Sequence, residues 1–174
     1  MLYNRLYNLL CIALLLCCAC SSVEPREAVK QVAPSTETMA LAEVNRQLME
    51  KDKDIMECMI RRKGWEMNYH PEGFYSMAMS EGRGKEISDT SIVETTCKVL
   101  LLDGTVCYEN QIRAFNLSKT NEIAGLQQGV LNKRGGDKLR FIFPPHMAYG
   151  LLGDQDKIPP RAALIFEVEI LNVE

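Results

Sequence analysis

The sequence predicts an α+β domain in which an antiparallel sheet is half covered by one short helix. Several segments alternate apolar and polar residues with the period of two that a half-buried strand requires. Between them, residues 122–130 place Ile123, Leu126 and Val130 on one helical face. The chain has 174 residues, of which 47% are apolar, enough for one compact domain and an appendage. Strands interrupted by a single helix favour an antiparallel sheet with one buried face.

The N-terminal residues are predicted to be a targeting signal. Arg5 is followed by an unbroken run, residues 9–19, that has no polar side chains other than thiols. This run is shorter than the roughly 20 residues that a membrane span needs, and it matches a secretory signal over residues 1–19. Ala19 before Cys20 resembles the lipobox of bacterial lipoproteins, which implies a lipid on Cys20. An ordinary cleaved signal and an N-terminal anchor helix remain as alternatives.

A lipid on Cys20 would fix the location of the chain. We expect a protein of the cell envelope that is anchored to a membrane by its lipid, with the domain extracytoplasmic, either periplasmic or at the surface. Residues 20–36 are polar, contain Pro25 and Pro34, and show no apolar period, so they predict a tether between the anchor and the domain.

An amphipathic helix is predicted over residues 37–63, and a linker to residue 71 completes this region. Three basic residues followed by Gly64 are typical of a helix end. We expect the helix either to dock on its own domain or to form a dimer with a second copy of the chain. Its apolar stripe consists of Leu41, Val44, Leu48, Ile55 and Met59.

Four later segments have the strand pattern, and Asp103-Gly104 supplies a tight hairpin turn after the second of them. A hairpin at this place puts Cys97 and Cys107 on opposite faces of the sheet, so no disulfide between them is expected. The apolar positions of the four segments are Tyr75, Met77 and Met79; Val93, Cys97, Val99 and Leu101; Leu139, Phe141 and Phe143; and Leu164, Phe166, Val168 and Ile170.

Charge and residue content exclude several classes of function. The formal net charge of −3 gives no basic surface for gripping nucleic acid. His70 and His146 lie far apart in the sequence, and neither a metal site nor a cofactor is expected. The sequence has no Gly-x-Ser-x-Gly motif, no Cys–His pair at suggestive spacing and no phosphate loop. Any catalysis therefore has to proceed without a nucleophile.

The most informative motifs lie between residues 125 and 174. They are G-L-Q-Q-G from Gly125, A-Y-G around Tyr149, I-P-P from Ile158 and L-I-F-E-V-E from Leu164. In this order they resemble the C-terminal signature of the FKBP-type peptidyl-prolyl cis–trans isomerases. The resemblance covers residues 72–174, and the stretch Y-G-L-L-G-D from Tyr149 is similar to the gliding-motility-associated lipoprotein branch of that family.

This resemblance implies a curved antiparallel sheet wrapped around a short helix. It also implies an enzyme that rotates X–Pro peptide bonds and so assists the folding of exported proteins, with their proline-containing segments as partners. In the family pattern the hydroxyl of Tyr149 would reach the substrate carbonyl. Ile158 would supply a backbone N–H and an apolar wall, and Phe166 would line a side of the pocket. These three are the expected catalytic residues.

Further pocket residues follow from the same resemblance. Leu126 takes the place where the family often has a tryptophan floor, which makes the pocket shallower or wider. Cys107-Tyr108 stand where the family usually has Phe-Asp, and Thr95 replaces a common tyrosine. The expected substrate-binding residues are Phe115, Ile123, Leu126, Cys107 and Tyr108.

Two other functions are compatible with the sequence. The replacements at residues 95, 107, 108 and 126 would also suit a binding or chaperone module of the cell envelope that kept the fold and lost most of its turnover. A structural lipoprotein of an envelope complex is the third alternative, and a stable stoichiometric partner would identify it.

Overall fold

The structure is a computed structural model that describes residues 36–119 and 122–174. The predicted signal peptide, the lipidation residue Cys20 and the tether up to residue 35 lie outside the described residues. None of the helices in the described part is long and apolar enough to cross a membrane.

Six antiparallel strands form one sheet, and this confirms the predicted α+β class. Their order across the sheet is β1-β2-β5-β6-β3-β4, so the C-terminal strand β6 lies in the middle. A 3₁₀ helix, Pro145–Met147, follows β5. The helices are α1 (Thr36–Lys63) and α2 (Ala124–Val130), and the strands are β1 (Asn68–Tyr69), β2 (Tyr75–Ser80), β3 (Ile92–Leu101), β4 (Val106–Asn116), β5 (Lys138–Phe143) and β6 (Leu164–Val173).

Helix α2 packs on the inner face of the sheet through two glycines. A Cβ on Gly125 would lie 2.6 Å from the ring of Phe143, and one on Gly129 would lie 2.9 Å from the ring of Phe141. The two rings are stacked with centroids 5.3 Å apart. The glycines of the G-L-Q-Q-G motif therefore let the helix backbone pack directly on the aromatic rings, because they place no side chain between the helix and the rings.

Helix α1 covers part of the outer face of the sheet, which is the first of the two arrangements expected for it. Met56 and Met59 of α1 form a second core cluster with Tyr75, Ile142 and Ile165. Helix α1 thus docks on its own domain through its second half. Burial of this apolar surface from water stabilises the docked position.

Polar contacts at the edges of this second cluster also join α1 to the domain. The hydroxyl of Tyr75 donates a hydrogen bond to Glu57 Oε1 at 2.8 Å. Arg161, which directly follows the I-P-P motif, forms an ion pair with Asp52 of α1 at 3.2 Å. The backbone N–H of Arg161 donates to the carbonyl of Gly150 at 3.1 Å. One residue therefore contacts both the helix and the A-Y-G motif.

The predicted apolar stripe of α1 is wrong at most of its positions. Leu41, Val44 and Ile55 are exposed, with 52–63% of their surface accessible to solvent, and only Met59 is buried. On the helix, Met56 is buried in place of the predicted Ile55, so the buried face lies one residue further along the chain. The first half of the helix has no apolar residue buried in the domain. Periodicity identified the helix, but it did not identify which turns the domain covers.

The prediction that Cys97 and Cys107 lie on opposite faces is also wrong. Both thiols are free, and both side chains are buried in the inner core. The pairing of β3 with β4 shifts register on either side of Val99, and Asn110 adopts a left-handed backbone with φ 52°. Such a bulge changes the register of one strand against the other, so a count of residues from the turn fails.

Candidate active site

The eight pocket residues expected from the motifs come together against one core cluster on the inner face of the sheet. Five of them are buried and three are partly buried around the same cluster. They come from β4, from β6, from the start of α2 and from the loop between the 3₁₀ helix and β6. The buried residues are Cys107, Phe115, Leu126, Ile158 and Phe166, and the partly buried residues are Tyr108, Ile123 and Tyr149.

Tyr149 lies just after the 3₁₀ helix, whose turn is closed by backbone hydrogen bonds. The amide groups of Ala148 and Gly150 both donate to the carbonyl of Pro145, at 3.1 and 2.8 Å. The hydroxyl oxygen of Tyr149 accepts a hydrogen bond from Arg113 Nη2 at 2.7 Å. Among the described residues, no acceptor takes the proton of this hydroxyl, so the proton is available to a ligand.

Arg113 is a residue of the site that the sequence analysis missed. Its guanidinium lies over the ring of Phe166, with Cζ 5.5 Å from the ring centroid, and only 9% of its side chain is exposed. Glu122 Oε1 accepts from Nη1 at 2.7 Å. Gln111 Oε1 accepts from Nε at 3.1 Å and from Nη2 at 2.6 Å. Burial opposes the charge, but the bond to Tyr149 and the carboxylate of Glu122 outweigh it and raise the pKa of Arg113.

The alternation of β4 contains the signal for this residue. Arg113 and Phe115 are two residues apart and therefore point to the same face of the strand. Phe115 was expected in the pocket, so an arginine two positions before it should also point inward. An inward arginine requires acceptors nearby, and the structure supplies them from Gln111 and Glu122.

Asp154 organises the loop that contains Ile158. Its Oδ1 accepts from the backbone N–H of Ile158 at 2.7 Å and from that of Asp156 at 3.0 Å. Its Oδ2 accepts the hydroxyl of Tyr108. Partial burial would raise the pKa of Asp154, but the hydrogen bonds from Tyr108, Ile158 and Asp156 outweigh it and hold the pKa below its ordinary value of 3.8.

Two of the predicted site groups are therefore engaged within the chain. The N–H of Ile158, which the motif assigns to the substrate, donates to Asp154. Tyr108 holds the same carboxylate, and that hydrogen bond raises the pKa of its hydroxyl. Ile158 still supplies an apolar wall, since its side chain is buried in the cluster. A ligand that needs the N–H of Ile158 has to compete with Asp154.

Cys107 is a packing residue with a weak hydrogen bond. Its Sγ donates to the carbonyl of Lys157 at 3.6 Å. Burial, followed by the charge of Asp154, raises the pKa of the thiol. Because the thiolate is the nucleophilic form, this environment makes Cys107 a poor nucleophile. Within the described ranges, no three His, Cys, Asp or Glu side chains are grouped so as to hold a metal ion.

The arrangement as a whole is an apolar cluster in which the partly buried Tyr149 has a hydroxyl proton available. Leu126 and Phe166 have no exposed surface. Arg113 is paired with Glu122, and the carboxylate of Asp154 accepts the hydroxyl of Tyr108. The chemistry that these side chains offer is contact with an apolar ring and one hydrogen bond to a carbonyl group.

Residues 84–171 match the model of a protein family described as FKBP-type peptidyl-prolyl cis–trans isomerase. The chain belongs to this FKBP-type family. Its family and its fold are therefore those that the sequence predicted. The residues before 84 in this chain, including α1, lie outside the match.

Individual FKBP-type proteins are similar to this chain over different lengths. The FKBP-type peptidyl-prolyl cis-trans isomerase FkpA of Escherichia coli is 30% identical over 126 residues, which are 71% of this chain and 46% of FkpA. The inactive peptidyl-prolyl cis-trans isomerase FKBP6 of Rattus norvegicus is 36% identical over 66 residues, 38% of this chain and 20% of that protein. The chain thus spans less than half the length of each of these relatives.

The solved structure of a peptidyl-prolyl cis-trans isomerase extends the comparison to the fold. A peptidyl-prolyl cis-trans isomerase from Pseudomonas syringae pv. tomato superimposes with a TM-score of 0.61 at 25% sequence identity. The superposition covers 74% of this chain and 95% of that structure. The FKBP-type fold therefore accounts for most of the described residues.

Proposed function

We propose that this chain is a peptidyl-prolyl cis–trans isomerase that binds X–Pro segments of exported proteins at this apolar cluster. The observation that carries the proposal is the meeting of Tyr149, Ile158 and Phe166 at one apolar core, with the hydroxyl proton of Tyr149 available. Membership of the FKBP-type family supports it.

Physical chemistry explains why an apolar site that excludes water is sufficient for this reaction. Rotation about a peptide bond breaks its partial double bond, with a barrier of about 18–20 kcal/mol. The twisted amide has lost its resonance and has less charge separation than the planar amide. A site that excludes water therefore favours the twisted form over the planar one. Phe166 and Leu126 exclude the water, and Tyr149 holds the carbonyl in place. The reaction needs neither a nucleophile nor a proton transfer.

Replacing Tyr149 by phenylalanine tests the proposal. Y149F removes the donor but keeps the ring, so we expect kcat/KM for a peptide with a central Phe-Pro bond to fall about tenfold. The coupled prolyl-peptide assay on the purified full chain measures this change. Y69F is the matched control, because Tyr69 is half exposed in β1 and contacts Lys53 of α1. A wild-type rate equal to the uncatalysed rate, with Y149F no different, would contradict the proposal.

Two features favour the second function, a binding module with little turnover. Arg113 covers the face of Phe166, and the N–H of Ile158 is engaged by Asp154. A proline ring that is to reach Phe166 has to displace or slide beside the guanidinium. The similar FKBP6 carries the word inactive in its name, which shows that family members can lack turnover. Suppression of the aggregation of an unfolded protein, without isomerase activity, would identify this function.

We also propose a lipid anchor on Cys20, supported by the apolar run before it and the small residue Ala19. C20S should move the protein from the membrane fraction to the soluble fraction of a bacterial host, because the acyl chains are lost. C18S is the matched control and should leave the protein in the membrane fraction. The opposite distribution, with C18S soluble and C20S bound, would place the lipid on Cys18.

Dimerisation through α1 stays a proposal, supported by its exposed Leu41, Val44 and Ile55.

A further inference from the structure

We propose that Arg113 is a positioning residue for the isomerase reaction: it directs the hydroxyl proton of Tyr149 toward the substrate carbonyl. This inference rests on the proposed function. It assigns a role to a buried ion pair, Arg113 with Glu122, that none of the sequence motifs contains.

The first step is the hydrogen bond between the two side chains. A phenol oxygen can accept a hydrogen bond and can donate its own proton. Arg113 Nη2 occupies an acceptor position of Tyr149 at 2.7 Å. The positive guanidinium repels the hydroxyl proton, so this proton has to point away from Arg113. The remaining direction is available to a ligand, because the described residues offer no acceptor there.

The second step is the way in which Arg113 is held. Gln111 binds Nε and Nη2 through one oxygen, and Glu122 binds Nη1 at 2.7 Å. The aliphatic and guanidinium parts lie against the core, with the guanidinium over Phe166. A planar guanidinium that is hydrogen-bonded at several nitrogens has little freedom to rotate. A donor held by a single hydrogen bond on a flexible chain would keep that freedom. The position of the Tyr149 oxygen is thereby fixed by the whole network.

The third step is the effect on the reaction. Because Arg113 already directs the hydroxyl proton of Tyr149 away from itself, the proton needs no reorientation when a substrate carbonyl binds. A carbonyl held at one point lets the prolyl side of the amide rotate while the acyl side stays in place. Arg113 therefore acts on the bound peptide while its prolyl bond rotates. Loss of Arg113 should change kcat more than KM.

The experiment avoids leaving an unpaired buried charge. Removing Arg113 alone would strand the carboxylate of Glu122, which is 14% exposed, and such a variant can fail to fold. The double variant R113M/E122Q is therefore compared with E122Q, in the full chain and with the same Phe-Pro peptide. We expect kcat to fall about tenfold while KM changes less than about twofold. Adding Y149F should cause a smaller loss than Y149F causes in the wild type, because both changes act on the same hydrogen bond to the substrate.

Arg140 provides the matched control. It is also ion-paired, to Glu167 at 2.6 Å, and it also lies over an aromatic ring, that of Trp65 at 4.1 Å, but on the outer face of the sheet. R140M should leave kcat unchanged. Equal losses in R140M and R113M/E122Q would reduce Arg113 to a general stabilising residue and overturn the inference. Unchanged kcat in R113M/E122Q, with Y149F impaired, would overturn it while the proposed function stands.

A second measurement works even if the chain has no turnover. Tyrosine labelled with ¹³C at Cζ reports the hydrogen bonding of each phenol oxygen. The Tyr149 resonance should shift between E122Q and R113M/E122Q, and it should move on addition of the Phe-Pro peptide only when Arg113 is present. A wild-type protein without activity but with these shifts would refute the proposed enzyme and the role of Arg113 in its reaction, and would show only that Arg113 sets the hydrogen bonding of Tyr149 toward a bound peptide. A resonance that ignores Arg113 would refute the positioning role.

Discussion

G153A should lower kcat/KM about a hundredfold, because it displaces the loop that contains Ile158. Gly153 has φ +69°, a left-handed conformation that side chains rarely adopt. A Cβ at this position would lie 2.1 Å from the carbonyl oxygen of Ile158 and 2.8 Å from the carbonyl carbon of Pro159. Both contacts are with backbone atoms, so no side-chain rotation relieves them. The I-P-P segment has to move.

Gly150 is the matched control for this prediction. It has φ +63°, but a Cβ there would meet no atom within 4 Å. G150A therefore has the conformational strain, about 1–2 kcal/mol, without the collision. Steady-state kinetics and thermal unfolding of both variants separate the two effects. If G150A and G153A lose the same activity, strain in the backbone rather than the position of Ile158 controls the site.

D154A should lower kcat/KM about tenfold, because the carboxylate of Asp154 fixes the loop that contains Ile158 through several hydrogen bonds. Its oxygens accept hydrogen bonds from Ile158, Asp156 and Tyr108. D156A is the control, since the Asp156 side chain makes only a 3.4 Å contact with Tyr108. Equal activity of D154A and the wild type would show that the loop keeps its position without the carboxylate.

Asp154 also predicts the direction in which the stability of the folded chain changes with pH. The pKa of Asp154 is lowered in the folded chain below its ordinary value of 3.8. A lowered pKa stabilises the folded chain at pH values above the ordinary one, and this contribution is lost as the pH falls through the folded value. The difference in melting temperature between the wild type and D154A should therefore be constant from neutral pH to about 5, and should shrink below about 4. A difference that grows on acidification would contradict the assigned shift.

Features that depend on local pattern could be predicted from the sequence. The strands follow from alternation, and the short helix follows from the spacing of Ile123, Leu126 and Val130. Its two glycines belong to a motif whose physical reason, contact with the rings of Phe141 and Phe143, is visible only in the structure. The family and its fold followed from motifs that are specific in combination.

Features that depend on pairing between distant segments could not be predicted. The bulge near Val99 and Asn110 shifts the register and brings both thiols into the core. Ile142 and Ile165 are apolar at positions where alternation in β5 and β6 predicts polar residues. This departure is the feature of the sequence that indicates a covered outer face. The alternation of β4 placed Arg113 on the same face as Phe115, but its partners Glu122 and Tyr149 come from other segments.

The docking of α1 changes where the smallest useful fragment of this protein begins. The motifs place the start of the domain at residue 72, and the family match starts at residue 84. A fragment that begins at residue 72 would expose Tyr75, Ile142 and Ile165 to water, and one that begins at residue 84 would lose Tyr75 as well. Both fragments would lack Asp52, the partner of Arg161. Fragments for crystallisation, NMR or assay should therefore begin before Leu48, so that the packed half of the helix is retained.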